Sequence, residues 1–368
     1  MPSALPHVAV VLPPREGFGP GRTGAIGLLV RRLTQTPGYD TIVVGGKQDG
    51  AIFPGIEYQT ITPSMWSLGS TNMRYAGAVA DRLRQHPPAL IEVHNRPEIA
   101  LGLAARLPGI PVVAFLHNDP QEMREASSAA ERTRMLRRLA GVITPSEYLR
   151  QRVLDGVTNP AVDPVVLPNC LDLDELPPRG RRERVILFAG RVVENKAPDA
   201  FVSACAAALP HLPGWGAQII GADRFSFDSP DTGFVQMVRA AAEGANVRML
   251  GYRDHPEVLQ AMARAAIVVV PSRWPEPFGL VALEALASGA ALICSPRGGL
   301  PEVAGDAAIY VNPDDPGEIA AAIRLLAHDD TRRAALAEAG WQRVQQFDVV
   351  PIAARLAALR DHVLTRHG

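Results

Sequence analysis

The sequence has little cysteine. Its three, Cys170, Cys205 and Cys294, are odd in number, far apart and never in CxxC spacing. That argues against a disulfide framework or a structural zinc and for a reducing compartment. The chain also lacks any run near the roughly 18 apolar residues that span a bilayer. Its opening, MPSALPHVAVVLPP, has no basic n-region, so a first buried strand is expected there rather than a leader. Charge of one sign is missing too: the formal net charge is -1, which leaves no footprint for nucleic acid. Together these absences point to a cytoplasmic globular protein.

Two further absences narrow the chemistry. No clean GxGxxG follows a strand with an acid about 20 positions on, which weighs against an NAD-dependent two-domain oxidoreductase. No DxD-like pair stands in a convincing loop, so a metal is not required. Asp314 and Asp315, in NPDDPGE, read as a turn and helix cap. Lysine is nearly absent: of 37 basic residues only Lys47 and Lys196 are lysines, so a lysine near a strand end suggests a place that wants a compact ammonium.

What is present is alternation. Short β-branched runs, at 7–12, 41–45, 89–94, 111–117 and 141–146, are separated by helical patterns near 22–36, 72–86, 97–107, 121–139 and 147–155. The rhythm breaks in VVLPNCLDLDELPPRGRRER and restarts with strands at 184–190, 216–222, 245–251, 265–272 and 290–296. At 368 residues the length suits two domains. The expected architecture is α/β, two Rossmann-like doubly wound parallel-sheet domains facing a central cleft. The expected boundaries are 1–168, a linker at 169–183, 184–350, and a C-terminal helix at 351–368 that packs back on the first domain.

Ligands of such sheets bind beyond the carboxyl ends of the strands. There the stretch PSRWPEPFGLVALEALASG sets Glu276 just ahead of a helix start and Glu284 inside the helix, eight positions on. The rise of a helix puts them on the order of 10 Å apart, too far to share a proton and suited to gripping two ends of one ligand. The amides of Phe278, Gly279 and Leu280 form a helix start that favours phosphate. Glu284 has apolar neighbours on both sides, so it needs a specific partner. After the strand at 184–190, Arg191 and Lys196 are placed to clamp a diphosphate.

The order AGRVVENKAPD, then NVRMLGYRDHPEVLQAMARAAIVVVPS, then EPFGLVALEALASGAALICSPRGGLPEV resembles the C-terminal domain of family 4 glycosyltransferases. These are retaining, nucleotide-sugar-dependent enzymes of GT-B fold, and Glu276 and Glu284 match the two ends of their E-x7-E motif. The resemblance covers about residues 165–350 strongly and the first domain more weakly. It implies that Glu276 holds hydroxyls of the donor sugar, Glu284 the ribose, and Arg191 with Lys196 the diphosphate. The amides of Phe278 to Leu280 would support sugar and phosphates, and Tyr252 and Arg253 would border the base.

In the first domain the resemblance implies that His117, in FLHNDP, stands near the reacting carbon. Asn118 and Asp119 follow it, and His94, Asn95 and Arg96 are expected to meet the acceptor. GFGPGRTGAIG resembles the family's glycine-rich loop, with Gly21 near the diphosphate. The family usually has adjacent glycines there, and glycine where this chain has Cys170.

The expected reaction moves a hexose from a nucleoside-diphosphate sugar, UDP-sugar first and GDP-mannose next, to an acceptor hydroxyl. No cofactor is expected beyond that donor substrate. The acceptor is expected to be a glycan, lipid-linked or small molecule in bacterial lipopolysaccharide or exopolysaccharide biosynthesis. A catalytically silent carbohydrate-binding protein of the same fold is the non-enzymatic alternative. Residues 1–170 carry 17 Lys+Arg against 14 Asp+Glu, partly as Arg132, Arg134, Arg137 and Arg138, and a peripheral contact with the inner membrane is an expectation from that excess. Glu125 and Glu131 among these arginines favour a plain solvated face over the lipid contact.

Overall fold

The computed structural model describes residues 5–64, 69–224 and 228–367. The chain divides into two compact units, Met1–Leu171 together with Phe347–Gly368, and Asp172–Gln346.

The first unit runs β1 (His7–Val11), α1 (Ala25–Leu33), β2 (Asp40–Gly45), β3 (Glu57–Thr60), α2 (Thr71–Leu83), β4 (Leu90–His94), α3 (Pro97–Arg106), β5 (Val112–Phe115), α4 (Ala129–Arg138), β6 (Gly141–Thr144), α5 (Glu147–Leu154) and β7 (Val165–Val166). Its sheet is parallel throughout, in the order β3-β2-β1-β4-β5-β6-β7. Along β1, Ala9 and Val11 enter one core and Val8 and Val10 another. This is the pattern of a strand covered on both faces, and it explains why these strands read as unbroken apolar runs.

The second unit runs β8 (Glu183–Ala189), α6 (Pro198–Ala208), β9 (Gly216–Ile220), α7 (Gly233–Gly244), β10 (Val247–Met249), α8 (His255–Arg264), β11 (Ala265–Val270), α9 (Leu280–Ala287), β12 (Ala291–Cys294), α10 (Leu300–Ala304), β13 (Ala308–Tyr310), α11 (Pro316–His328) and α12 (Asp330–Val344). Its parallel sheet has the order β10-β9-β8-β11-β12-β13. The last helix, α13 (Val349–His367), belongs to the first unit and buries Ile352, Ala353 and Leu356 in the core that Val8 and Val10 share. Residues 347–350, read with the second domain from the sequence, group with the first unit, where Leu171 bridges to Asp348.

The sequence carries no signal for β3, β7 and β13. All three end a sheet and span at most four residues, too few for a period to show. The helix expected over 121–139 starts late, at Ala129, after a 3-10 turn at Pro120–Glu122. Ser128 and Glu131 form a reciprocal capping box that fixes this start. On α4, Arg132 is buried and donates to the carbonyls of Ala126, Ser127, Val153 and Asp155, and Arg134 pairs with Glu125. Of the four arginines considered for lipid, Arg132 is therefore committed inside the unit, and Arg134 stays exposed in a surface pair. No helix among the described residues is long and apolar enough to cross a membrane.

Candidate functional site

In each sheet the chain reverses its direction of growth once, between β1 and β4 and between β8 and β11. Such switch points open a crevice at the carboxyl ends of the strands. The loops after β8 and β11 carry the residues singled out in the second unit.

Arg191 stands half-buried just past β8, and Lys196 closes a 3-10 turn at Glu194–Lys196. The loop after β11 brings Glu276 to meet it: the Lys196 ammonium donates to Glu276 Oε1. Ser272 Oγ lies 2.7 Å from the same oxygen and 3.1 Å from the Asn195 carbonyl, one proton within reach of two acceptors. Glu276 is only 9% exposed. A carboxylate so buried needs this compensation.

The main chain of Glu276 is held as firmly as its side chain. It forms a parallel bridge to Gly298, and Gly299 N–H donates to its carbonyl at 2.7 Å. Gly298 has φ +64°, and a Cβ there would lie 2.3 Å from the Glu276 carbonyl oxygen, so only glycine fits. Arg273 pins the loop from the other side with two 2.8 Å hydrogen bonds to Asp199 and one of 2.9 Å to Asp314. Arg297 shares Asp314 at 2.6 Å. Asp315 accepts from the Gly317 and Glu318 amides as the N-cap of α11, the capping role read from the sequence.

α9 begins at Leu280, two residues later than the apolar pattern suggests. Gly279 is its N-cap with φ +105°, a conformation that favours glycine. The amides following Gly279 lack partners within the helix, as at any helix start. Phe278 is buried beneath them.

Glu284, 8% exposed, meets His255 Nε2 at 2.7 Å through Oε1. Beyond β10, Arg253 donates to the Tyr252 carbonyl at 2.8 Å, and its Nε lies 4.0 Å from Glu257. The second unit thus gathers Arg191, Lys196, Glu276, Phe278 to Leu280 and Glu284 around the β8/β11 switch point and its following helix. Sequence reading missed Ser272, Arg273 and His255. Ser272 could have been found as the first polar residue past a buried strand, whereas His255 reaches Glu284 across 29 positions and leaves no local trace.

In the first unit, β4 and β5 end side by side and set His94 and His117 as a stacked pair, ring centroids 5.2 Å apart, with His94 Nδ1 2.9 Å from His117 Nε2. His94 also stacks on Phe115 at 4.6 Å. Desolvation pushes the His117 pKa down to about 4. Desolvation, with His117 and Arg360 nearby, holds that of His94 well below its usual value. Both rings are neutral near pH 7, and one N–H serves the bond between them.

His94 and Asn95, expected at an acceptor surface, instead lie beneath His117. They are 2% and 3% exposed, and the Asn95 side chain accepts from the His117 amide at 3.1 Å. Asp119 caps the 3-10 turn and takes a 2.8 Å bond from Arg152, so its carboxylate is structural. Asn118 is exposed and Arg96 half-buried, and both remain at the surface. Glu16, in the loop after β1, has its pKa raised by desolvation and is drawn back by the Gly27 and Gly24 amides and by Arg96. Gly21 is exposed with φ +69°, and a Cβ there would meet nothing within 4 Å.

A family model described as "Glycosyl transferases group 1" matches residues 175–343, and one described as "Glycosyltransferase Family 4" matches residues 26–175. A D-inositol 3-phosphate glycosyltransferase of Corynebacterium aurimucosum is 32% identical over 194 residues, 50% of this chain and 46% of that protein. The match thus spans about half the length of that relative. The Mycobacterium tuberculosis glycogen synthase is 28% identical over 297 residues, 74% of this chain and 69% of that one. Among solved structures, sucrose-phosphate synthase from Thermosynechococcus elongatus superposes with a TM-score of 0.78 at 18% identity, covering 98% of this chain and 100% of the other. Anabaena HepE, solved with UDP-glucose, gives 0.74 at 19% identity, covering 96% and 99%. The two parallel-sheet units match these GT-B structures.

Proposed function

Because the chain belongs to glycosyltransferase family 4, we propose that it moves a hexose from a nucleoside-diphosphate sugar to an acceptor hydroxyl with retention at the anomeric carbon. The observation that carries this reading is the partly buried Lys196–Glu276 contact at the β8/β11 switch point, with Glu284 further along the same loop and helix. An ammonium, a carboxylate and a helix start within one crevice suit a ligand with sugar hydroxyls, a diphosphate and a ribose.

In this reading Glu276 accepts from the donor sugar's hydroxyls, and Lys196 and Arg191 neutralise the diphosphate. Fixed charge aimed at a departing phosphate is worth most in a water-poor site, because it needs no reorganisation as charge develops. Among the described residues no second carboxylate is placed as a nucleophile, so we favour displacement from the front face, the leaving phosphate taking the acceptor proton. His117, neutral and held by His94, offers its remaining nitrogen to a sugar hydroxyl. Tyr252 and Arg253 border the base, and Asn118 and Arg96 are the first-unit groups open to an acceptor.

A UDP-sugar is our preferred donor, with GDP-mannose next. Support comes from HepE, which binds UDP-glucose on this fold. The acceptor we propose is a glycan or lipid-linked intermediate of bacterial surface polysaccharide synthesis. Exposed Arg137 and Arg138 are the α4 residues left for a peripheral membrane contact.

Thermal unfolding of wild type and Glu284→Ala with UDP, GDP and ADP tests the reading. A ligand at 100 times its Kd stabilises by about 2.7 kcal/mol, which raises the midpoint by roughly 2–4 °C per kcal/mol for a unit of roughly 150–250 residues. One diphosphate should shift the wild type and lose most of that effect in the variant. A variant that responds like wild type would remove Glu284 from the donor site.

A further inference from the structure

We propose that His255 is a positioning residue for the nucleotide, acting through Glu284: its ring holds the carboxylate in the orientation that reads the ribose. The inference rests on the reading of Glu284 as the ribose-holding acid. It adds a residue from a different helix.

The geometry is specific. A carboxylate only accepts, so in the 2.7 Å pair the proton sits on His255 Nε2 and is given to Glu284 Oε1. Glu284 Oε2 has no hydrogen-bond partner among the described residues, so one oxygen is fixed and the other remains for a ligand. Without His255 the side chain would be a nearly buried carboxylate on an otherwise apolar helix, with three torsions free and no partner. Such a group turns toward whatever water it can reach.

His255 is itself held. It is the first residue of α8, behind the N-cap Asp254, which forms a reciprocal capping box with Glu257. Pro256 follows at the next position, where its fixed φ suits a helix start. The neighbouring charges are committed elsewhere, Arg253 toward Glu257 and the Tyr252 carbonyl. The packing of α8 against α9 then sets the line along which the ring meets Glu284. Rigid support behind a contact residue is what keeps a recognition geometry from loosening.

The test is titration calorimetry on the full chain, with whichever of UDP, GDP and ADP binds wild type most tightly and with its 2′-deoxy and 3′-deoxy forms. Hydrogen bonds to a charged group predict a preference of about tenfold or more for the ribonucleotide in wild type. Glu284→Ala should bring that ratio to near unity. His255→Ala should lower it to about threefold with affinity for the deoxy forms unchanged, and His255→Gln, whose amide still donates, should restore it. A purely structural role would weaken ribo and deoxy forms alike and leave the ratio intact.

If His255→Ala keeps the wild-type ratio while Glu284→Ala loses it, the positioning role is wrong and the ribose reading survives. A His255→Gln variant that stays at the alanine level also overturns donation as the cause. If Glu284→Ala keeps the ratio, or no diphosphate binds wild type, both readings fall.

Discussion

Arg360 forks onto Glu92 through two 2.8 Å hydrogen bonds, joining the last helix of the chain to the strand that ends in His94. The partners are 2% and 3% exposed in their side chains. Removing one leaves the other charged and buried, which costs about 3–5 kcal/mol, whereas an apolar pair of similar volume is often tolerated. Arg360→Ala should therefore lower the denaturant midpoint of the first unit, and Glu92→Leu with Arg360→Met should recover much of the loss. Hydrogen exchange at β4 amides reads this directly; unchanged protection there in Arg360→Ala would count against the pair as a support.

The His94–His117 pair sets an acid limit on stability. The folded pKa of His117, about 4, lies below its ordinary 6.5, so between those values the unfolded chain binds a proton that the folded chain refuses. Its contribution is complete above about pH 6.5 and is lost progressively as pH falls toward 4, up to roughly 3 kcal/mol. Unfolding free energies of wild type and His117→Gln measured from pH 7.5 to 4.5 should diverge, with the wild type the steeper. Parallel curves would mean that the ring takes up its proton as readily in the fold as in the unfolded chain.

Lys196 and Glu276 should behave as one unit in turnover. Lys196→Ala alone is expected to lower kcat/KM by about a hundredfold or more, as loss of a transition-state donor does, and Glu276→Gln, which removes the accepting charge, to lower it comparably. Because the two groups touch, the double variant should be less impaired than the sum, with a coupling of about 0.5–3 kcal/mol. Additive losses would separate the pair.

Gly298→Ala should impair donor binding while leaving the rest of the fold in place. The new Cβ would press on the main chain of Glu276, and a non-glycine residue in left-handed backbone adds roughly 1–2 kcal/mol. The expected readout is a weakened shift by nucleoside diphosphate in thermal unfolding, with far-UV dichroism unchanged. A wild-type ligand response in this variant would show that the loop relaxes freely.

The parallel sheets were legible because strands covered on both faces, such as β1 and β11, read as uninterrupted β-branched runs. Glu276 and Glu284 stood out because carboxylates are conspicuous in an apolar stretch. What the sequence hid is pairwise. It offered Lys196 and Glu276 as separate candidates 80 positions apart, and nothing local says that they meet. It set His94 at a strand end without showing that β5 would carry His117 over it. Arg132 looked like part of a solvated basic face because helix periodicity does not reveal two carbonyls waiting just before its own helix and two more at the end of the next.

The return of α13 to the first unit fixes the order in which the molecule can be finished. Residues 172–346 form one contiguous unit that can close as soon as they leave the ribosome. The first unit, though synthesised first, must wait for Ile352, Ala353, Leu356 and Arg360. Until they arrive, the face of its nascent sheet that α1 covers lacks the rest of its cover and Glu92 has no counter-charge. The newborn chain therefore carries an open apolar surface throughout translation of the second unit, the state most exposed to aggregation and to chaperones. The amino-terminal half of the protein is the last to become native.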